Sequence, residues 1–370
     1  MTIALYCPMK PPDDPVASGD REIARLILRI LDRLGEPADL ASRLVTWQAV
    51  PDAARFVDLE AASRNETARL VSSWRSDDRP SAWITYHLYH KAPDWIGPAV
   101  TAALGIPYVV IEASRAAKRA TGPWAPGFAA ADRALAAADA VVAMHGADRE
   151  GLSERVDRDR LFALAPFIDT APFATIDRSQ PRPNAPVRLL AAGMMRPGNK
   201  EACYRVLADA LSRIRDLDWH LTIAGGGEAA DRIRPLFDPE RTRFLGAVDR
   251  ERMPAVYADA DLFVWPAVNE PFGLVFLEAQ AAQLAVVGGN SRGVPEVVSD
   301  GETGVLVASE DAGTFADAVA GLIRDPARRA RYAEAARSTA TSRHDIAQAV
   351  ASLADILAAA RRHHDTVRPA

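Results

Sequence analysis

The stretch Asn269-Glu270-Pro271-Phe272-Gly273-Leu274-Val275-Phe276-Leu277-Glu278-Ala279 sets two carboxylates on either side of a glycine that opens an apolar helix. The run before it, Asp261-Leu262-Phe263-Val264-Trp265-Pro266, reads as a buried strand stopped by proline. Glu270 therefore falls on a strand-to-helix loop, and Glu278 falls one to two turns into the helix. A helix that follows a parallel strand leaves its first N–H groups, here those of Gly273, Leu274 and Val275, free to receive an anion. A loop carboxylate beside them can accept hydrogen bonds from hydroxyls. Phosphate and polyol recognised side by side point to a nucleotide sugar. A glutamate pair at this spacing also occurs on ordinary solvated surface, and it is the Pro-Phe-Gly insert that turns the reading toward a ligand site.

Outward from that block the chain alternates strands and helices. Strands are expected at Val187–Ala192, His220–Ala224, Arg243–Leu245, Leu262–Trp265 and Ala285–Gly288, with helices at Glu201–Ile214, Leu274–Gln283 and Ala312–Ile323. The first half repeats the pattern, with strands at Ile3–Tyr6, Ala82–Tyr86, Pro107–Glu112 and Ala140–Met144 and helices at Asp20–Leu34, Trp95–Leu104 and Gly127–Ala138. Alternation of this kind implies parallel sheet. Ala174–Pro186 has prolines and polar neighbours but no period, and reads as a linker. The expectation is an α/β chain of two Rossmann-like, doubly wound domains, 1–173 and 187–345, with a cleft where their C-terminal strand ends face.

Composition fits that division. A chain of 370 residues exceeds the roughly 250–300 at which a single core stops growing. A formal net charge of −5 argues against a general nucleic-acid binder. Cys7 and Cys203 are too few and too far apart for a disulfide framework or a thiolate metal site, and read as small buried hydrophobes. The first apolar strand has no basic segment before it, and no run of about 18 apolar residues occurs, so a cytoplasmic protein is expected. Asp157-Arg158-Asp159 and Asp259-Ala260-Asp261 fit a D-x-D metal pattern, but capping and solvation explain these aspartates. No histidine pair has zinc-site spacing on a helix. No metal or other cofactor is expected.

The Glu270–Glu278 block resembles the E-x7-E signature of retaining glycosyltransferases with the GT-B fold, family 4, the glycosyl transferases group 1 type. Further resemblances run from about Val187 to Val307. The family shows a strand, a glycine, then an arginine and a lysine before the next helix, and here Gly193, Arg196 and Lys200 stand in that order with Met194 in the usual arginine place. Charge growing on a departing diphosphate must be held by fixed cations and N–H groups, which Arg196 and Lys200 could supply without a metal. Both can equally be read as solvated loop charges. Leu221–Glu228 resembles the family's strand and glycine turn, where Gly225 would let backbone approach the donor, and Gly288–Val298 resembles its block after the helix. Phe244–Val248 and Tyr257–Asp261 resemble the region around the nucleotide base. By resemblance Glu270 would hold donor sugar hydroxyls and Glu278 the ribose.

The first half matches less fully. Ser18-Gly19-Asp20-Arg21 gives Gly19 as a point of close donor approach and Asp20 as a helix N-cap. Where many members place an acceptor-side histidine, this chain has Glu112, so His87 is taken as its substitute, with Lys91 and Glu112 as further polar groups on the acceptor side. For each of these a plain structural role is an equal reading. Arg21, Arg25, Arg29 and Arg33 form a cationic stripe, and Arg115, Lys118 and Arg119 a second cluster, which could attract an anionic membrane face or a phosphorylated acceptor. A C-terminal helix at about 346–361 is implied by resemblance to return to the first domain.

Together these imply transfer of a hexosyl group from a UDP-, GDP- or ADP-sugar to an acceptor hydroxyl, with retention and without a metal. The acceptor is left open, a lipid-linked or a phosphorylated one being the alternatives that the basic clusters suggest. Two alternatives are a nucleotide-sugar epimerase of the same fold and a catalytically silent nucleotide-sugar sensor.

Overall fold

Runs of apolar residues buried on both faces, such as Leu262–Trp265 and Val109–Ile111, can be satisfied only inside a parallel sheet covered by helices on each side. A computed structural model, describing residues 2–16, 18–74, 78–178, 185–271 and 273–367, contains two such sheets. The chain divides into one unit made of Met1–Ala165 with Ile346–Ala370 and another made of Pro166–Asp345.

The first unit begins β1 (Ile3–Tyr6), α1 (Gly19–Arg33), β2 (Ala38–Ser42), α2 (Ala53–Ser73), β3 (Ala82–Leu88) and α3 (Ile96–Leu104). It continues β4 (Tyr108–Ala113), α4 (Ala125–Ala137), β5 (Ala140–Ala143), α5 (Gly146–Ser153) and β6 (Leu161–Ala163). Its six strands run parallel in the order β2-β1-β3-β4-β5-β6. The chain winds outward from β1 to β2, then returns to place β3 on the other side of β1. That reversal opens a crevice at the carboxyl ends of β1 and β3.

The second unit repeats the device. It holds β7 (Val187–Ala192), α6 (Asn199–Ser212), β8 (Trp219–Ala224), α7 (Ala230–Ile233), β9 (Thr242–Gly246), α8 (Met253–Ala258) and β10 (Leu262–Trp265). After these come α9 (Leu274–Ala281), β11 (Ala285–Gly289), α10 (Val294–Val297), β12 (Gly304–Val307), α11 (Ala312–Arg324) and α12 (Pro326–Arg343). Strand order is β12-β11-β10-β7-β8-β9, again all parallel, so the reversal lies between β7 and β10. The last helix, α13 (Ile346–Val367), belongs to the first unit and packs on α1, β4 and β5. Arg361 forks onto Glu36 through two 2.7 Å hydrogen bonds, and His363 and His364, both within this helix, reach Asp139.

Several boundaries differ from expectation for physical reasons. Ile168 and Phe173 are buried in the second unit's core, so Pro166–Phe173 does not continue the first domain. Arg178 donates to the carbonyls of Tyr257, Ala260 and Ala282, and Arg337 reaches those of Ala174 and Ile176. The start of the expected linker is therefore packed structure, while residues 179–184 lie outside the described residues. Asp20 is not the cap of α1. Ser18 Oγ accepts the Arg21 N–H at 3.2 Å, and Asp20 sits inside the first turn.

Candidate functional site

In the second unit the loops that flank the reversal carry the residues singled out in the sequence. Beneath them Trp265, fully buried at the end of β10, fills the space under Gly193, where a Cβ would come within 2.8 Å of the indole. The β10 loop then turns through two left-handed non-glycine residues, Ala267 (φ 55°) and Asn269 (φ 54°), and the Glu270 N–H closes onto the Ala267 carbonyl at 3.2 Å. Strain of this kind persists only where surrounding contacts enforce it, and it clusters at functional sites. Gly273 follows with φ 68° as the cap residue of α9, and a Cβ there would lie 2.5 Å from the Phe276 ring. Among the described residues no side chain caps this helix start, which leaves its first N–H groups, including those of Leu274 and Val275, able to receive an anion. Phe272 lies outside the described residues.

Lys200 extends from the first turn of α6 and donates to Glu270 Oε2, with its ammonium also 5.5 Å from the Trp265 ring centre. The pair is mostly shielded, with side-chain exposures of 28% and 11%. Arg196 lies half-buried on the same β7-to-α6 loop. Glu278, on α9, accepts the Tyr257 hydroxyl at 2.8 Å and has Arg250 at 3.8 Å. The structure thus brings Lys200 onto Glu270, and holds Glu278 separately through a tyrosine that the sequence reading placed only in the base region. Gly225 makes its close approach to the neighbouring loop. A Cβ there would stand 1.8 Å from the Gly193 carbonyl oxygen, so its small size serves the packing of two strand-end loops.

In the first unit three polar side chains converge at the crevice between β1 and β3. His87 lies near the end of β3 and Glu112 near the end of β4, both in left-handed conformations (φ 66° and 58°), and Asp20 comes from the first turn of α1. His87 Nδ1 is 3.0 Å from Asp20 Oδ1 and 3.5 Å from Glu112 Oε1. Burial works against the charged imidazole, but the Glu112 charge and the Asp20 hydrogen bond outweigh it and push His87 up to about 9. Burial raises the Glu112 carboxyl to about 7. Asp20 is also shielded, yet its His87 contact holds it below the ordinary carboxylate range. Asp20 is the member that sequence reasoning missed, having been assigned to capping. The three donor atoms lie within 4.8 Å of one another and could hold a cation. Gly19 stands beside them as the first residue of α1.

Other expected groups have structural duties. Lys91 donates to the Ala49 carbonyl at 3.5 Å and lies 5.2 Å from the Trp124 ring centre. Arg21 and Arg25 hold the carbonyls of Asp14 and Pro12, and Arg115 pairs with Asp132 and Glu154, so neither basic cluster is a simple solvated stripe. Arg188 binds both Asp259 and Asp261, which accounts for that D-x-D sequence. Cys7 and Cys203 are free and buried. Among the described residues no helix is long and apolar enough to cross a membrane.

The glycine-opened helix after β10, facing a lysine and arginine loop after β7, is where known families can be compared. Residues 186–325 match the family Glycosyl transferases group 1. Over 153 residues the chain is 39% identical to a glycogen synthase of Mycobacterium tuberculosis, covering 40% of this chain and 37% of that protein. Over 226 residues it is 33% identical to D-inositol 3-phosphate glycosyltransferase 2 of Catenulispora acidiphila, covering 55% and 52%. The chain therefore spans between about a third and a half of the length of these curated relatives. Anabaena HepE, solved in complex with UDP, superposes with a TM-score of 0.70 at 16% identity, covering 97% of this chain and 100% of that one. Two six-stranded parallel sheets, each flanked by helices, are the two-domain GT-B fold.

Proposed function

We propose that this protein is a hexosyltransferase that moves a sugar from a nucleoside-diphosphate sugar to an acceptor hydroxyl with retention of configuration. The observation that carries the reading is the Lys200–Glu270 pair set beside the uncapped start of α9 at the β7/β10 reversal. The relatives' names and the UDP in the HepE structure support a nucleotide-sugar donor. In the resting protein Lys200 and Glu270 neutralise each other. On donor binding Lys200 turns to the diphosphate, together with Arg196 and the N–H groups of Gly273, Leu274 and Val275, while Glu270 is released to accept hydrogen bonds from sugar hydroxyls. Glu278, already oriented by Tyr257, takes the ribose hydroxyls.

Charge grows on the phosphate oxygen as the glycosidic bond breaks, and these fixed cations and dipoles stabilise it without reorganising. The acceptor hydroxyl attacks from the face the diphosphate leaves and gives its proton to the departing phosphate, so neither glutamate forms a covalent bond. No metal is required at the diphosphate. His87 and Glu112 in the first unit bind acceptor hydroxyls.

The test is a thermal-shift panel of UDP-, GDP- and ADP-sugars, followed by product analysis with the stabilising donor. Ligand at about 100 times its Kd stabilises the native state by about 2.7 kcal/mol. A glycosylated product with the donor's anomeric configuration is expected. An epimerised donor, or stabilisation with no turnover in the presence of varied acceptors, would overturn the proposal.

A further inference from the structure

We infer that Cys203 is a positioning residue that sets the place of Glu270, acting through the backbone of the β10 loop. The inference rests on the function proposed above. Val268 is flanked by two left-handed residues of that loop, Ala267 and Asn269, and its N–H lies outside the ladder of β10. It donates instead to Cys203 Sγ at 3.1 Å. Cys203 is completely buried one turn after Lys200 on α6, so the two residues project on one side of the helix. That side of α6 therefore grips the loop twice, at the Val268 N–H and at the Glu270 carboxylate. The next residue, Tyr204, donates its hydroxyl to the Gly193 carbonyl at 2.5 Å and ties the β7 loop to the same helix.

Helix α6 is thus the common reference for both loops at the reversal. When Lys200 leaves Glu270 for an incoming diphosphate, one of the two grips is lost. The thiol grip then remains to keep Glu270 in register with the donor sugar. Burial raises the Cys203 thiol to about 11, with the Lys200 charge and the Val268 N–H pulling the other way, so the group stays a neutral acceptor and takes no part as a nucleophile. Removing the sulfur leaves a buried N–H without a partner, and the loop shifts to satisfy it.

The experiment compares Cys203→Ala and Cys203→Ser in the full chain, each alone and combined with Glu270→Gln. Because sub-ångström misplacement of a catalytic contact is costly, Cys203→Ala is expected to lower kcat by about 10-fold with donor KM changed by less than about twofold. Serine still offers an acceptor, so Cys203→Ser should recover most of that loss. In the Glu270→Gln background Cys203→Ala should cost nothing further, because the residue acts only through Glu270. Full additivity of the two losses, or wild-type kcat in Cys203→Ala, overturns the inference. If the alanine variant does not fold, the serine variant carries the same cycle, with a loss of about twofold to threefold in kcat expected alone and none in the Glu270→Gln background. Wild-type transfer activity that falls with Glu270→Gln establishes the parent reading separately, so a failure of this inference is distinguishable from a failure of that one.

Discussion

Replacing Glu270 by glutamine removes one charge and leaves the shape of the loop nearly unchanged, which makes it the sharpest probe of the site. Two effects are expected, and they separate. On stability, the Lys200–Glu270 pair lies between surface and core, with side-chain exposures of 28% and 11%. Removing one partner of a deeply buried pair costs about 3–5 kcal/mol, whereas exposed pairs give about 0–1 kcal/mol. Partial exposure, and the amide's ability to accept the lysine N–H through its carbonyl, place the cost near about 1 kcal/mol. For a unit of this size that is a drop of about 2–4 °C in Tm, read by scanning calorimetry. On turnover, Glu270 under the proposed function would contribute hydrogen bonds that strengthen as charge develops on the sugar ring, and loss of one preorganised contact of this kind costs about 10²–10³-fold in kcat/KM. Lys200→Ala should fall by a similar factor, because it deprives the leaving diphosphate of its fixed cation. Both are measured by initial-rate kinetics with the donor found in the stabilisation panel. A folded Glu270→Gln protein with near-wild-type kcat/KM would refute the assignment and make the pair a structural ion pair.

Glu278→Gln should raise donor KM more than it lowers kcat, because ribose contacts differ little between ground and transition states; the kcat and KM split in steady-state kinetics checks it. Turnover should persist in excess chelator, and complete loss restored only by Mn²⁺ or Mg²⁺ would remove the metal-free account of the diphosphate. His87, held up at about 9 against an ordinary value near 6.5, contributes stability that is fully present below about 6.5 and is lost as pH rises through about 9. Urea melts between pH 6 and 10 should therefore show a decline in the wild type that is smaller in His87→Gln, and equal slopes in the two proteins would contradict the ion triad.

The second unit was more legible than the first because its chemistry sits in local sequence. Strand, proline stop, acid and helix-opening glycine follow one another within Leu262–Glu278, and each carries its own backbone rule. Lys200 on Glu270 could be anticipated only as two charges on neighbouring loops. What escaped was non-local or weakly patterned. Helix α2 buries only Phe56, Leu59, Ser63 and Leu70 over 21 residues, and α12 only Tyr332, Ala336 and Ala340 over 18, so neither shows a strong apolar stripe. Their start signals were nonetheless present. Asp52 and Asp325 cap them, and Pro326 stands at the first helical position. Asp20 was misread because N-cap preference is a local statistic, while its carboxylate is committed to His87, 67 positions away.

The contrast between the two crevices also bears on what Glu112 does at the end of β4, where the resemblance drawn from the sequence leads one to expect a histidine. An imidazole at the end of β4 would offer one neutral donor or acceptor. Glu112 and Asp20 both lie against His87 Nδ1, at 3.5 and 3.0 Å, and hold the imidazole of the neighbouring strand toward its charged form, so a hydrogen-bond donor stands one strand away. The donor thus belongs to β3 rather than β4, with both carboxylates gathered at its Nδ1 side. Burial raises Glu112 itself to about 7, so under the proposed function hydroxyl recognition by this group would change with pH near neutrality. Under the proposed function an acceptor there would be read by a donor and an acceptor side by side, the arrangement that adjacent hydroxyls of a polyol can satisfy together and a single isolated hydroxyl cannot.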